Sequence, residues 1–129
     1  SYLMDWNKNI VHGSILTTSD DNLIFTSDNV GQHDTRAYVE LRKFGYNNST
    51  IKIHMNVDSE GNTYDYGRIL KNGTQLTIKS GIDKDWPTQG STAKGSITMS
   101  QGDILRLEYF KDVSISENDD KAIWTIDFD

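Results

Sequence analysis

The stretch Ile51-Lys52-Ile53-His54-Met55-Asn56-Val57 decides the fold. Its apolar residues sit at every second position, with Lys52, His54 and Asn56 between them. A period of two is the signature of a half-buried strand, because successive side chains leave the backbone on opposite faces. The same alternation returns on either side. Leu76 and Ile78 alternate with Gln75, Thr77 and Lys79. Leu105, Leu107 and Tyr109 alternate with Arg106 and Glu108, and Ala122, Trp124, Ile126 and Phe128 share one face of a last strand. Asn22 to Ser27 and Arg36 to Lys43 give two more.

Turn residues separate these runs at short intervals: Ser19-Asp20-Asp21-Asn22, Gly45-Tyr46-Asn47-Asn48, Ser59-Glu60-Gly61-Asn62 and Gln101-Gly102-Asp103. Asn72-Gly73, between two strand-like runs, signals a type I′ hairpin, since both residues tolerate positive φ. No apolar i, i+3, i+4, i+7 pattern holds for three turns. Eight or so short strands with frequent turns predict an all-β, two-sheet antiparallel sandwich of the jelly-roll kind.

Composition agrees and narrows the function. The chain has 129 residues, enough for one core, and is expected to form a single domain, 1–129, cut from a longer protein. Apolar residues are 35%, charged residues 25% and mean hydropathy −0.62; thirteen Ile and thirteen aromatic residues still supply a core. Net charge is −6, which argues against nucleic acid as a partner and against adhesion to anionic lipid. No run is long and apolar enough to insert in a membrane. There is no Cys, so neither a disulfide framework nor a thiolate site exists.

Catalytic signatures are sparse. His12, His33 and His54 are far apart and hold no metal-ligand spacing. His12, before Gly13, reads as a turn residue, and His54 as the solvent side of its strand. No nucleophile elbow, phosphate loop or dinucleotide fingerprint is present. Nineteen carboxylates allow a glycosidase pair in principle, but most lie in turns, where solvation explains them. The sequence therefore points to a binding domain and away from an enzyme.

An ordered series runs through the second half: Ser59-Glu60, Tyr64-Asp65-Tyr66, Asn72-Gly73, Asp85-Trp86, Gln101-Gly102-Asp103 and Lys111-Asp112-Val113-Ser114. It resembles a module of large secreted bacterial and phage structural proteins, and it is similar to the CUB domain, a jelly-roll sandwich. Residues 1–50 carry no part of the resemblance, and the cysteines common in CUB domains are missing here. In the calcium-binding CUB subset, the matching carboxylates hold one Ca²⁺. The resemblance thus implies Glu60, Asp65 and Asp112 as a metal set, with Ser114 and Asn118 as further oxygen donors. Six to eight oxygens from separate loops suit a hard cation. The other reading makes Glu60 and Asp112 backbone-capping turn residues, and gives Asp65, placed within a strand, Arg68 or Lys111 as a partner.

Of the three tryptophans, Trp124 and Trp6 read as core. Trp86, in Gly81-Ile82-Asp83-Lys84-Asp85-Trp86-Pro87, is either a lid on one end of the sandwich or an exposed platform. Sugars stack on exposed aromatic rings while polar side chains take their hydroxyls. The candidate carbohydrate-binding residues are therefore Trp86, Tyr64 and Tyr46, with Arg68, Lys84 and Asp85 as hydroxyl partners. The expected function is a non-catalytic carbohydrate-binding module that tethers its parent to polysaccharide or a cell-surface glycan. Such a parent would be secreted or displayed on a bacterial surface and would carry further modules. The alternative is a protein-interaction, adhesion or phage structural domain, displayed on a virion in the last case.

Overall fold

A computed structural model describes residues 5–13, 16–28, 34–58, 65–76, 92–111 and 121–128. Ten strands occur among them: β1 Trp6–His12, β2 Leu16–Thr18, β3 Ile24–Asp28, β4 Thr35–Lys43, β5 Ser49–Asp58, β6 Tyr66–Lys71, β7 Thr74–Gln75, β8 Thr92–Met99, β9 Ile104–Lys111 and β10 Lys121–Asp127. They form two five-stranded sheets, β1-β4-β9-β6-β7 and β2-β3-β10-β5-β8. Every pairing is antiparallel. From β3 to β6, and again from β7 to β10, each strand lies in the opposite sheet from its predecessor, which is jelly-roll connectivity.

The alternation read from the sequence becomes the core. Ile51, Ile53, Met55 and Val57 of β5 meet Val39 and Leu41 of β4, Leu105, Leu107 and Tyr109 of β9, and Trp124 and Ile126 of β10 in one apolar cluster. Trp6 and Trp124 are both buried, and Trp6 packs against Phe128 at 5.3 Å between ring centroids. Burial of this kind contributes about 25 cal/mol per Å² of apolar surface removed from water.

Three expectations are corrected. His12 ends β1 and stacks on Tyr38, with ring centroids 5.0 Å apart, so it is a strand residue and not a turn residue. Of the run predicted around Leu76 and Ile78, Gln75 ends β7 and the Leu76 N–H donates to the Ile69 carbonyl at 3.0 Å, while Thr77, Ile78 and Lys79 lie outside the described residues. Asp65 sits in a bend just before β6 and not inside a strand, which removes the propensity conflict. Strands β1, β2 and β8 were not anticipated. They carry weak alternation because β1 and β8 are edge strands whose polar residues face water, and β2 has three residues.

The Asn72-Gly73 hairpin forms as expected, with φ of 52° and 81°. It also interlocks with the β8–β9 turn. Asn72 donates from its amide nitrogen to Asp103 Oδ1 at 2.9 Å, and its side-chain oxygen accepts from the Ile104 N–H at 2.8 Å. Asp103 Oδ2 in turn accepts from the Ser100 N–H at 2.8 Å. These hydrogen bonds, Asn72's first among them and then Ser100's, hold the Asp103 carboxyl below the usual carboxylate range, with Lys71 adding its charge.

Candidate functional site

The register of β5 with its two neighbours builds a cleft on the outward face of the second sheet. Lys52 pairs with Ser96 on β8 and Asp127 on β10; His54 pairs with Lys94 and Thr125. Because β5 buries its odd-numbered residues, its even-numbered ones stand outward. The six side chains border a depression of about 410 Å³, floored by the backbone of Ile53, Gly95 and Ile126. That volume lies in the range of ordinary ligand sites.

The wall chemistry is mixed. Ammonium groups donate, a carboxylate accepts, and hydroxyls and an imidazole do either. Such a set matches a ligand that presents many hydroxyls. Ser96 and His54 stand on neighbouring strands and share no hydrogen bond among the described residues. One step along the same face, Thr50 and Thr98 face each other with their hydroxyl oxygens 3.3 Å apart.

Sequence reasoning saw Lys52 and His54 only as the wet side of a strand. The signal lay in the alternation of β5, but the opposite walls come from residues forty or more positions away. Only the register could supply them.

Beyond Thr50 and Thr98 the strand ends in the turn that carries Tyr46. Tyr46 is 79% exposed and Phe44 43%. The turn itself is pinned. The N–H groups of Phe44 and Gly45 both donate to the Asp5 carbonyl, at 2.8 and 3.1 Å. Lys43 Nζ donates to the Gly45 carbonyl at 2.7 Å, and Gln101 Nε2 to the Phe44 carbonyl at 3.0 Å. A Cβ at Gly45 would meet the Asp5 carboxylate, so the Asp5 side chain packs against the turn where glycine leaves room for it. An exposed aromatic on a rigid turn loses little entropy when it binds.

Arg68 lies elsewhere, on the outward face of the first sheet. There Glu108 is fully buried, although it points away from the core. Arg68 Nε donates to one of its oxygens, and Arg106 Nη1 donates to the other at 3.2 Å. Arg106 also donates from Nε to Glu40 at 2.9 Å, and its guanidinium lies 3.8 Å over the Tyr38 ring. Arg68 reaches Gln75 at 3.3 Å with Nη1 and lies 5.8 Å from the Tyr66 ring centroid. Its guanidinium is thus engaged in a cross-strand ladder, with Glu108 and not Asp65 as its carboxylate.

Asp65 is fully buried at the far end of the sandwich. One position beyond the Tyr66–Phe110 pair, it stands opposite Lys111 by register, and Lys111 is also fully buried. The ends of β4 separate Asp65 from Tyr46 by about 26 Å at a rise of roughly 3.3 Å per residue. The structure therefore does not bring Tyr46, Arg68 and Asp65 together. Trp86, Tyr64, Lys84, Asp85, Glu60 and Asp112, with Ser114 and Asn118, lie outside the described residues. Among the described residues no three His, Asp or Glu side chains are close enough to hold a metal ion, and no helix is long and apolar enough to cross a membrane.

No protein-family model matches the chain, and no curated protein does. Among solved structures it is similar to a family 35 carbohydrate-binding module from Clostridium thermocellum, at 16% identity and a TM-score of 0.39, over 92% of this chain and 96% of that one. It is also similar to a family 35 carbohydrate-binding module from an environmental isolate, at 12% identity and TM-score 0.38, over 95% and 89% of the two chains. A third is CBM35 from Paenibacillus barcinonensis, at 12% identity and TM-score 0.35, over 95% and 91%.

Proposed function

We propose that this chain is a non-catalytic carbohydrate-binding module that holds polysaccharide in the cleft across β5, β8 and β10. The observation that carries the reading is the cleft itself. It is an open depression of about 410 Å³ bordered by Lys52, His54, Lys94, Ser96, Thr125 and Asp127. The parent is a secreted or surface protein of a bacterium, and the module raises its local concentration on glycan. Each contact is weak, and neighbouring modules add avidity. Trp86, Tyr64, Lys84 and Asp85 belong to the same proposal as an aromatic and polar loop surface.

Affinity electrophoresis tests it, on gels containing hydroxyethyl cellulose, xylan, galactomannan or polygalacturonate. Retardation by one polymer, reduced at least tenfold in affinity by His54→Ala, supports the cleft. Retardation that His54→Ala leaves intact and Trp86→Ala abolishes moves the site to the loop. A protein that runs freely in every gel is not a carbohydrate binder of this kind.

Calcium is the second part of the proposal. Asp65 is the described member of the set that the sequence implies; Asp112 directly follows Lys111 at the end of β9, and Glu60 comes two residues after β5 ends. These positions give three oxygen-bearing side chains on segments that leave the same end of the sandwich. Lys111, buried opposite Asp65, is the rival source of positive charge. An ion present at about one hundred times its Kd stabilises the fold by roughly 2.7 kcal/mol. Calcium is therefore expected to raise the melting temperature by several degrees, and a chelator to reverse it. An unchanged melting temperature in Asp112→Asn, with and without calcium, is the matching control. Equal melting in both conditions for the unmodified chain refutes the site.

A further inference from the structure

We infer that the binding surface does not stop at the cleft but continues along β5 to Tyr46, so that the module grips the interior of an extended polysaccharide chain and not a single terminal sugar. This rests on the carbohydrate reading above and deepens it.

Three tiers on the outward face of β5, and the turn that precedes the strand, lead there. His54, Lys94 and Thr125 form the first tier of the cleft, and Lys52, Ser96 and Asp127 the second. Thr50 and Thr98 form a third tier in register with the first two, both exposed and both hydroxylated. Ser49 then begins the strand, and Tyr46 stands three residues earlier on the pinned turn. From Thr50 to His54 the tiers span roughly 13 Å at 3.3 Å per residue, and the turn with Tyr46 lies beyond. That is long enough for several sugar rings laid end to end.

The chemistry changes along the track as a polymer needs. The tiers offer hydrogen-bond partners at a regular spacing, which suits the repeating hydroxyls of one sugar unit after another. The aromatic end offers a ring face, which suits the C–H face of a further unit. A lone sugar would occupy the cleft and leave Tyr46 unused. The rigidity of the turn matters for the same reason, because a mobile Tyr46 would have to be ordered on binding at an entropic cost.

The test uses the polymer that retards the protein in the panel above, together with its disaccharide and its hexasaccharide, measured by isothermal titration calorimetry. The hexasaccharide is expected to bind at least tenfold more tightly than the disaccharide. Tyr46→Ala is expected to weaken the hexasaccharide about tenfold and to leave the disaccharide unchanged, whereas His54→Ala weakens both. Tyr46 is exposed, so circular dichroism should show an unaltered fold. Equal affinity for the two oligosaccharides, or a Tyr46→Ala variant that binds both like the unmodified chain, overturns the extended track and leaves the carbohydrate reading in place. Binding to no polymer or oligosaccharide overturns both.

Discussion

Glu108 shows how much a single residue's role depends on its neighbours. In the sequence it is a polar position in an alternating strand, expected to face water. It does face outward, yet Arg68 and Arg106 cover it completely. Removing one member of a buried ion pair leaves the other charge uncompensated, typically at about 3–5 kcal/mol. Here both guanidinium groups are partly exposed and can turn to water, so Glu108→Ala should cost nearer the lower bound, about 3 kcal/mol. Arg68→Ala leaves Glu108 with Arg106 and should cost about 1 kcal/mol. Urea denaturation of both variants would check the ranking; equal midpoints for Arg68→Ala and Glu108→Ala would show that the ladder does not act as described. Tyr46 is the counter-case. Its exposure follows from its place among Gly45, Asn47 and Asn48, and the sequence reading found it.

At the scale of elements, the β6–β7 hairpin turn and the β8–β9 turn between the sheets depend on each other. Asn72 and Asp103 bridge them, and the Asp103 carboxyl is held below its ordinary range by Asn72 and Ser100. A carboxyl with a lowered pKa in the folded state adds stability above its unfolded pKa, and that stability is lost as pH falls through the folded value. Denaturant midpoints should therefore decline on acidification below the ordinary carboxylate range. Asp103→Asn should flatten that decline and lower stability at neutral pH; a decline of the same depth in the variant would rule Asp103 out as its source. Gly45 lies in the turn that precedes β5. Gly45→Ala displaces the Asp5 carboxylate, a flexible side-chain end, and is expected to destabilise by no more than about 1 kcal/mol, the low end for overpacked sites. A thermal melt lowered by far more than that would show that Asp5 cannot move aside.

At the scale of the whole molecule, the core takes Trp6 and Trp124 out of solvent. Their emission should be blue-shifted and resist quenching by iodide. Any change in tryptophan fluorescence on adding glycan then reports on Trp86, and Trp86→Phe should abolish it. A change that persists in Trp86→Phe would mean that binding disturbs the core. The two faces of the molecule also divide the work. The outward face of the first sheet is closed by its own arginine–glutamate ladder, while that of the second keeps an open cleft.

How much of this was legible beforehand differs by kind. Alternation at period two is a local property, so the strands of the core, the buried faces of β5, β9 and β10 and the type I′ turn could be read directly from the residues. Those features rest on nearest-neighbour geometry and on the transfer of apolar side chains out of water, which the order of residues determines by itself. The cleft could not be read in the same way. Its walls come from three strands that are distant in the chain, and a shift of one residue in register would turn every one of those side chains to the other face. Likewise the sequence offered Arg68 to Asp65 or to a sugar, and the pairing of β6 with β9 gave it to Glu108. Tertiary structure decided these points because ion pairs and binding walls depend on which strands become neighbours, and that choice is made by the packing of the whole sandwich.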